Sequence, residues 1–259
     1  MESPVKTVPA PPRAATGTGM ADDSVPTRRP GGAVPAEVAD FLRRVAATPA
    51  PVRKGGQAGR LMFALDATAS RQPTWDSACR IQSDMFAAAA ELGGLEVQLV
   101  FYRGFGECRA SPWVGDAADL ARRMGGVSCL GGQTQIGRVL AHAAKETGQR
   151  RVNALVFVGD ACEENPDRLC HLAGELGLLG VPAFVFHEGG DPAVRLVFQQ
   201  IARLSGGAYC PFDAGSAAQL KELLRAVAVF AAGGRAALEN HAKGGAEAVL
   251  RLTRQLGKA

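Results

Sequence analysis

Residues 61–70 read Leu-Met-Phe-Ala-Leu-Asp-Ala-Thr-Ala-Ser, an apolar run that gives way to oxygen-bearing side chains at every second position. A run of strand length that is apolar throughout belongs to a strand covered on both faces, as in the middle of a parallel sheet. Asp66, Thr68 and Ser70 then fall where that strand ends. Alternate residues of an extended segment share a side, so their oxygens can converge on one point.

Working outward, further apolar runs occur at Val97–Tyr102, Val152–Val158, Val181–Phe186 and, more briefly, Ala208–Cys210. Between them lie segments of helical period, the pattern of a βαβ protein. Asn165-Pro166 and Asp191-Pro192 each read as an N-cap with proline in the first helical position, and Gly180 and Gly206 stand where a C-terminal glycine belongs. Only Arg103-Gly104-Phe105-Gly106 separates Tyr102 from Glu107, too short for a crossover helix, so Glu107–Ala110 is expected to return as an antiparallel edge strand. The fold expected is α/β: a doubly wound, mostly parallel, Rossmann-like sheet with one antiparallel edge strand and helices on both faces.

The pattern divides the chain into four parts. Residues 1–34 mix Pro, Ala, Gly, Thr and Arg without periodicity and read as a flexible tail. Residues 35–59 hold a short amphipathic helix over Pro35–Ala47, with Val38, Phe41, Leu42 and Val45 at helical spacing, and then a linker. Packing of that helix on its own domain is favoured over docking to a partner. Residues 60–231 form the α/β domain, ending with a helix over Leu220–Ala231, and 232–259 a helical extension.

Composition narrows the function. The chain has 259 residues, 47% of them hydrophobic and 21% charged, too apolar to be wholly disordered and long enough for a sizeable core. The net charge of +4 comes from the ends, because the segment between residues 60 and 232 carries fifteen basic against eighteen acidic groups. A basic nucleic-acid face on the domain is therefore not expected. No apolar run is long enough to span a membrane and the first residues lack the apolar stretch of a secretory signal, which points to the cytoplasm. The six cysteines form no C-x-x-C pair, so most are read as buried free thiols.

Ligands of open α/β sheets bind beyond the carboxyl ends of the strands, and three strand-end loops here carry unusual polar residues. Beside Asp66, Thr68 and Ser70, the loop Gly131-Gly132-Gln133-Thr134 supplies a hydroxyl, and Val156-Phe157-Val158-Gly159-Asp160 ends in a second carboxylate. Two carboxylates and three hydroxyls make an all-oxygen set suited to a hard divalent cation, Mg²⁺ or Mn²⁺. This arrangement resembles the von Willebrand factor A (vWA) domain and its metal-ion-dependent adhesion site (MIDAS), over about residues 60–231. The resemblance implies that Thr68, Ser70 and Thr134 offer hydroxyl ligands while Asp66 and Asp160 act directly or through water. Thr68 stands where many members carry Ser, and Ala161 where many have Gly. It further implies a protein-binding module in which a partner's Asp or Glu completes the metal shell, the partner being an AAA+ ATPase or another complex component by analogy.

Each residue also has an ordinary reading. Asp66, Asp160 and Thr134 could each merely cap a following helix, and Glu163 and Glu164 read as solvated loop carboxylates. A metal-free vWA scaffold is one alternative, and a metal-dependent hydrolase or phosphatase-like enzyme another. Against an enzyme, Thr68 occupies the position where a haloacid-dehalogenase-like phosphatase needs its second acid. Neither a P-loop nor a dinucleotide fingerprint is present. Cys170 and His171 are adjacent on a helix and so project apart rather than acting as nucleophile and base. His142, His187 and His241 have no metal-ligand spacing.

Overall fold

The computed structural model describes residues 36–47, 58–72, 95–212 and 225–232. The tail 1–34, the linker at 48–57, the helix expected after Pro73, Cys79, the start of the Leu220–Ala231 helix and all of the C-terminal extension beyond residue 232 lie outside these residues.

In chain order the elements are α1 (Ala36–Ala47), β1 (Gly59–Asp66), a single 3₁₀ turn (Ala69–Arg71), β2 (Leu95–Arg103), β3 (Glu107–Ala110), α2 (Ala117–Gly125), α3 (Ile136–Gln149), β4 (Ala154–Gly159), α4 (Pro166–Leu178), β5 (Ala183–Glu188), α5 (Pro192–Leu204) and β6 (Ala208–Phe212). A last helical segment, α6, covers 225–232. The six strands form one sheet in the order β3-β2-β1-β4-β5-β6, parallel throughout except for β3, which runs antiparallel to β2. The mostly parallel sheet with one reversed edge is thus the architecture expected from the apolar runs.

Residue alternation along β1 decides which helix covers which face. Leu61, Phe63 and Leu65 point into a cluster with Phe41 and Val45 of α1, Leu120 and Met124 of α2, and Val227 and Phe230 of α6. Met62 and Ala64 point the other way, against Val139 and Leu140 of α3, Leu169 and Leu176 of α4, and Phe198 and Ile201 of α5. All eight residues of β1 are buried, which is why its sequence is apolar without alternation. The ring of Phe41 lies 5.2 Å from that of Phe186 and 6.1 Å from that of Phe184, so α1 docks on its own sheet. Burying one such ring contributes about 1.5–3 kcal/mol.

Helix boundaries follow the chemistry of their caps. Asn165 and Asp191 each accept two backbone N–H groups of the first turn, with Pro166 and Pro192 next in line. Gly180 (φ +68°) and Gly206 (φ +75°) take the left-handed conformation just past α4 and α5.

Strand order reverses between β1 and β4: β2 lies on one side of β1 and β4 on the other. Connections leave these two strands in opposite directions, opening a crevice beyond their carboxyl ends. Asp66 terminates β1 and Asp160 follows β4, so both carboxylates stand at this reversal.

Candidate metal centre

The β1 loop gathers three of the five expected ligands. Asp66 continues the row of Met62 and Ala64 and is fully buried. Its Oδ1 accepts the Thr68 N–H at 2.8 Å, and its Oδ2 accepts the Tyr102 hydroxyl at 3.0 Å. Both carboxylate oxygens are therefore held in place. Thr68 Oγ1 lies 3.1 Å from Ser70 Oγ, so the two hydroxyls do share one side, but Ser70 lies in the 3₁₀ turn Ala69–Arg71 and it is this turn, not the extended alternation expected, that brings them together. Thr68 is buried while Ser70 is exposed, giving the site a buried floor and a solvent-facing rim.

Asp160 reaches the same place through the sheet. Leu65 pairs with Val158, and a Cβ placed on Gly159 would lie 3.6 Å from Cβ of Asp66. Asp160 Oδ1 is buried with no hydrogen-bond partner among the described residues. Burial raises the Asp66 carboxyl above its ordinary range and the nearby Asp160 charge adds to this, while hydrogen bonds from Thr68 and Tyr102 pull the other way.

Thr134 arrives by a different route. Its loop is pinned to the β1 loop by the Leu130 N–H, which donates to the Ala67 carbonyl at 3.0 Å, and to the β2–β3 hairpin by the Gln133 N–H, which donates to the Gly104 carbonyl at 3.1 Å. A Cβ on Gly132 would lie 2.1 Å from the Gly104 carbonyl oxygen, so this position admits only glycine without displacement, whereas Gly131 faces open space. Thr134 is buried and joined to the β4 loop, its hydroxyl oxygen accepting the Glu163 N–H at 3.0 Å. No hydrogen bond links Thr134 to Asp66, Thr68 or Ser70. The two groups are connected through backbone contacts between their loops.

At α3 and α4 the ordinary capping roles are taken by residues other than Thr134 and Asp160. Asn165, not Asp160, caps α4. At α3, residue Gln135 occupies the cap without a side-chain bond, and Glu164 reaches across to accept the N–H groups of Ile136 and Gly137, the latter at 2.9 Å. Glu163 accepts the Thr134 N–H at 2.8 Å. Reading these two glutamates as solvated missed that one holds the Thr134 loop and the other a helix terminus. Burial raises the Glu164 carboxyl, although the hydrogen bonds it accepts oppose that.

No family model and no curated protein matches the sequence. Solved structures do match, with low identity. The chain is similar to the VWA domain of SpRpn10 (13% identity, TM-score 0.53, covering 64% of this chain and 94% of that one). It is also similar to a von Willebrand factor type A protein from Catenulispora acidiphila (19%, 0.54, covering 68% and 43%). A third match is proximal thread matrix protein 1 from the mussel byssus with a zinc-occupied MIDAS motif (16%, 0.53, covering 66% and 46%). The chain has the fold of a vWA domain. It spans less than half the length of the Catenulispora and mussel proteins and nearly all of the SpRpn10 domain.

Within the vWA fold, the residues present suit a hard divalent ion. Among the described residues no three His, Cys, Asp or Glu side chains gather to hold a metal. Asp160 Oδ1, buried with no hydrogen-bond partner among the described residues, is an acceptor with room for such an ion. Thiol chemistry has little support. Burial raises the Cys162, Cys108 and Cys129 thiols and so disfavours thiolate, and His171 is an exposed partner of Glu175. Of the five described cysteines only Cys210 is fully buried; the others are half-buried rather than buried as expected.

Sequence reasoning also passed over Tyr102 and Arg71. Tyr102 occupies the strand position paired with Asp66, a relation visible only once β1 and β2 are in register. Arg71 directly follows Ser70, and its side chain is 1% exposed and ion-paired with Glu188.

Proposed function

We propose that this chain is a divalent-metal-dependent protein-binding module, in which Asp66, Thr68, Ser70, Thr134 and Asp160 hold Mg²⁺ or Mn²⁺ and a carboxylate of a protein partner completes the coordination. A bound divalent ion supplies a Lewis-acidic centre whose shell the partner's Asp or Glu fills. Supporting this reading above all is Asp160 Oδ1, a buried acceptor without a partner, across the β1–β4 boundary from a buried carboxylate whose neighbours include two mutually bonded hydroxyls. The vWA fold and the metal-occupied site named for the mussel protein agree with it.

The chain's own residues prepare the site. Tyr102 and the Thr68 N–H fix Asp66 so that little reorganisation is needed on binding. Exposed Ser70 leaves an approach from solvent. Beside that rim, Phe105 at the hairpin tip is 83% exposed and Leu130 is 52% exposed, with Gly104 bridging the two. They offer apolar contact to whatever flanks the incoming carboxylate, which is how surrounding loops select one partner among many acidic ones. By family analogy the partner is an AAA+ ATPase or another component of a cytoplasmic complex. No helix among the described residues is long and apolar enough to cross a membrane.

The test is capture of partners on the immobilised chain in Mg²⁺ and in EDTA, with wild type and Thr134→Ala. Partners retained only by wild type in Mg²⁺ support metal-bridged recognition. Capture that survives both EDTA and the substitution refutes it.

A further inference from the structure

Arg71 sits at the end of the 3₁₀ turn that follows Ser70, yet its guanidinium is paired with Glu188 at the end of β5. β4 lies between β1 and β5, and neighbouring strands are about 4.8 Å apart, so the side chain must cross some 10 Å of sheet edge to make this pair. Its path runs over the carboxyl end of β4, where Gly159 pairs with His187 and Asp160 follows. The turn holds its root firmly, the Arg71 N–H donating to the Thr68 carbonyl at 3.1 Å. A positive charge is thereby buried beside the β1–β4 strand ends, within the fields of both Asp160 and Asp66. Burying a guanidinium is costly unless anionic groups surround it, and among the described residues those near Arg71 include the two expected metal-site carboxylates and Glu188.

We propose that Arg71 is a resident counter-cation of this site, balancing Asp66 and Asp160 in the metal-free chain and setting the affinity for the divalent ion below what the same ligands would have alone. Glu188 acts in the opposite sense by drawing off part of the Arg71 charge. The inference rests on the metal-binding reading above and adds to it how strongly, and with what electrostatic opposition, the site takes its ion. A unit charge within one or two strand spacings of a divalent ion, at the effective dielectric of a protein site, shifts binding by about tenfold or more.

The test is calorimetric titration of Mn²⁺ into the full chain as wild type, Arg71→Met, Arg71→Lys and Glu188→Gln, with thermal unfolding in EDTA alongside. Arg71→Met is expected to bind Mn²⁺ at least about tenfold more tightly than wild type while melting lower in EDTA. Arg71→Lys should stay close to wild type, and Glu188→Gln should bind several-fold more weakly. Opposite shifts from the two halves of one ion pair separate a charge effect from general damage, which would weaken binding in both. Mn²⁺ binding by wild type that Arg71→Met leaves unchanged or weakens overturns this inference alone. Absence of Mn²⁺ binding in wild type and Arg71→Met alike overturns the metal site itself. Should Arg71→Met not fold, Glu188→Gln decides, and unchanged or tighter binding there overturns the proposal.

Discussion

Thr134 and Glu163 are hydrogen-bonded to each other twice, the Thr134 N–H donating to Glu163 Oε2 at 2.8 Å and the Glu163 N–H donating to Thr134 Oγ1 at 3.0 Å. This reciprocal pair ties the loop before α3 to the loop after β4, two of the three loops proposed to hold the ion. Glu163→Ala is expected to lower stability by about 1 kcal/mol through loss of one bond to a backbone amide. It should weaken Mn²⁺ binding several-fold, because Thr134 loses its anchor. Glu163→Gln keeps an acceptor and should stay near wild type in both chemical denaturation and Mn²⁺ titration.

Tyr102→Phe removes only the hydroxyl that donates to Asp66 Oδ2. Leaving a buried carboxylate oxygen without its donor costs about 1–3 kcal/mol, to be read from urea unfolding. The lost bond also favours the protonated form of Asp66, so Mg²⁺ binding should weaken most at mildly acidic pH.

Gly132→Ala and Gly131→Ala form a matched pair one residue apart. The first places a Cβ against the Gly104 backbone and the second meets nothing within 4 Å. Gly132→Ala is expected to displace the Thr134 loop and reduce Mn²⁺ affinity by tenfold or more, with Gly131→Ala within twofold of wild type. Equal effects at both positions would show that the close approach to Gly104 does not position the loop.

Asp66 also makes a pH dependence testable. Burial raises its carboxyl in the native state, so the native chain holds that proton more tightly than the unfolded one does. The stability this group contributes is fully present below its unfolded value of about 3.9 and is lost as pH rises through the raised native value. In EDTA, wild type should therefore lose stability relative to Asp66→Asn as pH rises from about 4 towards neutrality, as read by calorimetric scans at several pH values, whatever the offset from the hydrogen bonds that Asn cannot accept. A difference between the two that moves the other way over this range would mean the carboxylate is stabilised, not penalised, by its surroundings.

The parts of the fold that depend on local pattern were legible in the sequence. The edge strand Glu107–Ala110 follows from a connection too short for a helix, and the ends of α4 and α5 follow from Asn165-Pro166, Asp191-Pro192 and the two glycines. In the β1 loop the meeting of Thr68 and Ser70 was expected from alternation, but it is made by the 3₁₀ turn Ala69–Arg71, a local geometry the apolar pattern does not announce. What escaped depends on residues far apart in the chain. Glu164 caps a helix that begins 28 positions before it, and Tyr102 meets Asp66 across 36 positions. Nothing local distinguishes such side chains from solvated ones. Arg71 escaped for another reason: an arginine beside expected ligands reads as surface charge until the strand order shows Glu188 within its reach.

The most direct measurement is calorimetric titration of Mg²⁺ into the full chain, wild type against Asp160→Ala. Saturable binding by wild type that is lost in the variant, with thermal unfolding showing the variant still folded, is the expected result. Wild type that takes up no ion, or a folded variant that binds as well as wild type, would contradict a metal centre at the β1–β4 boundary.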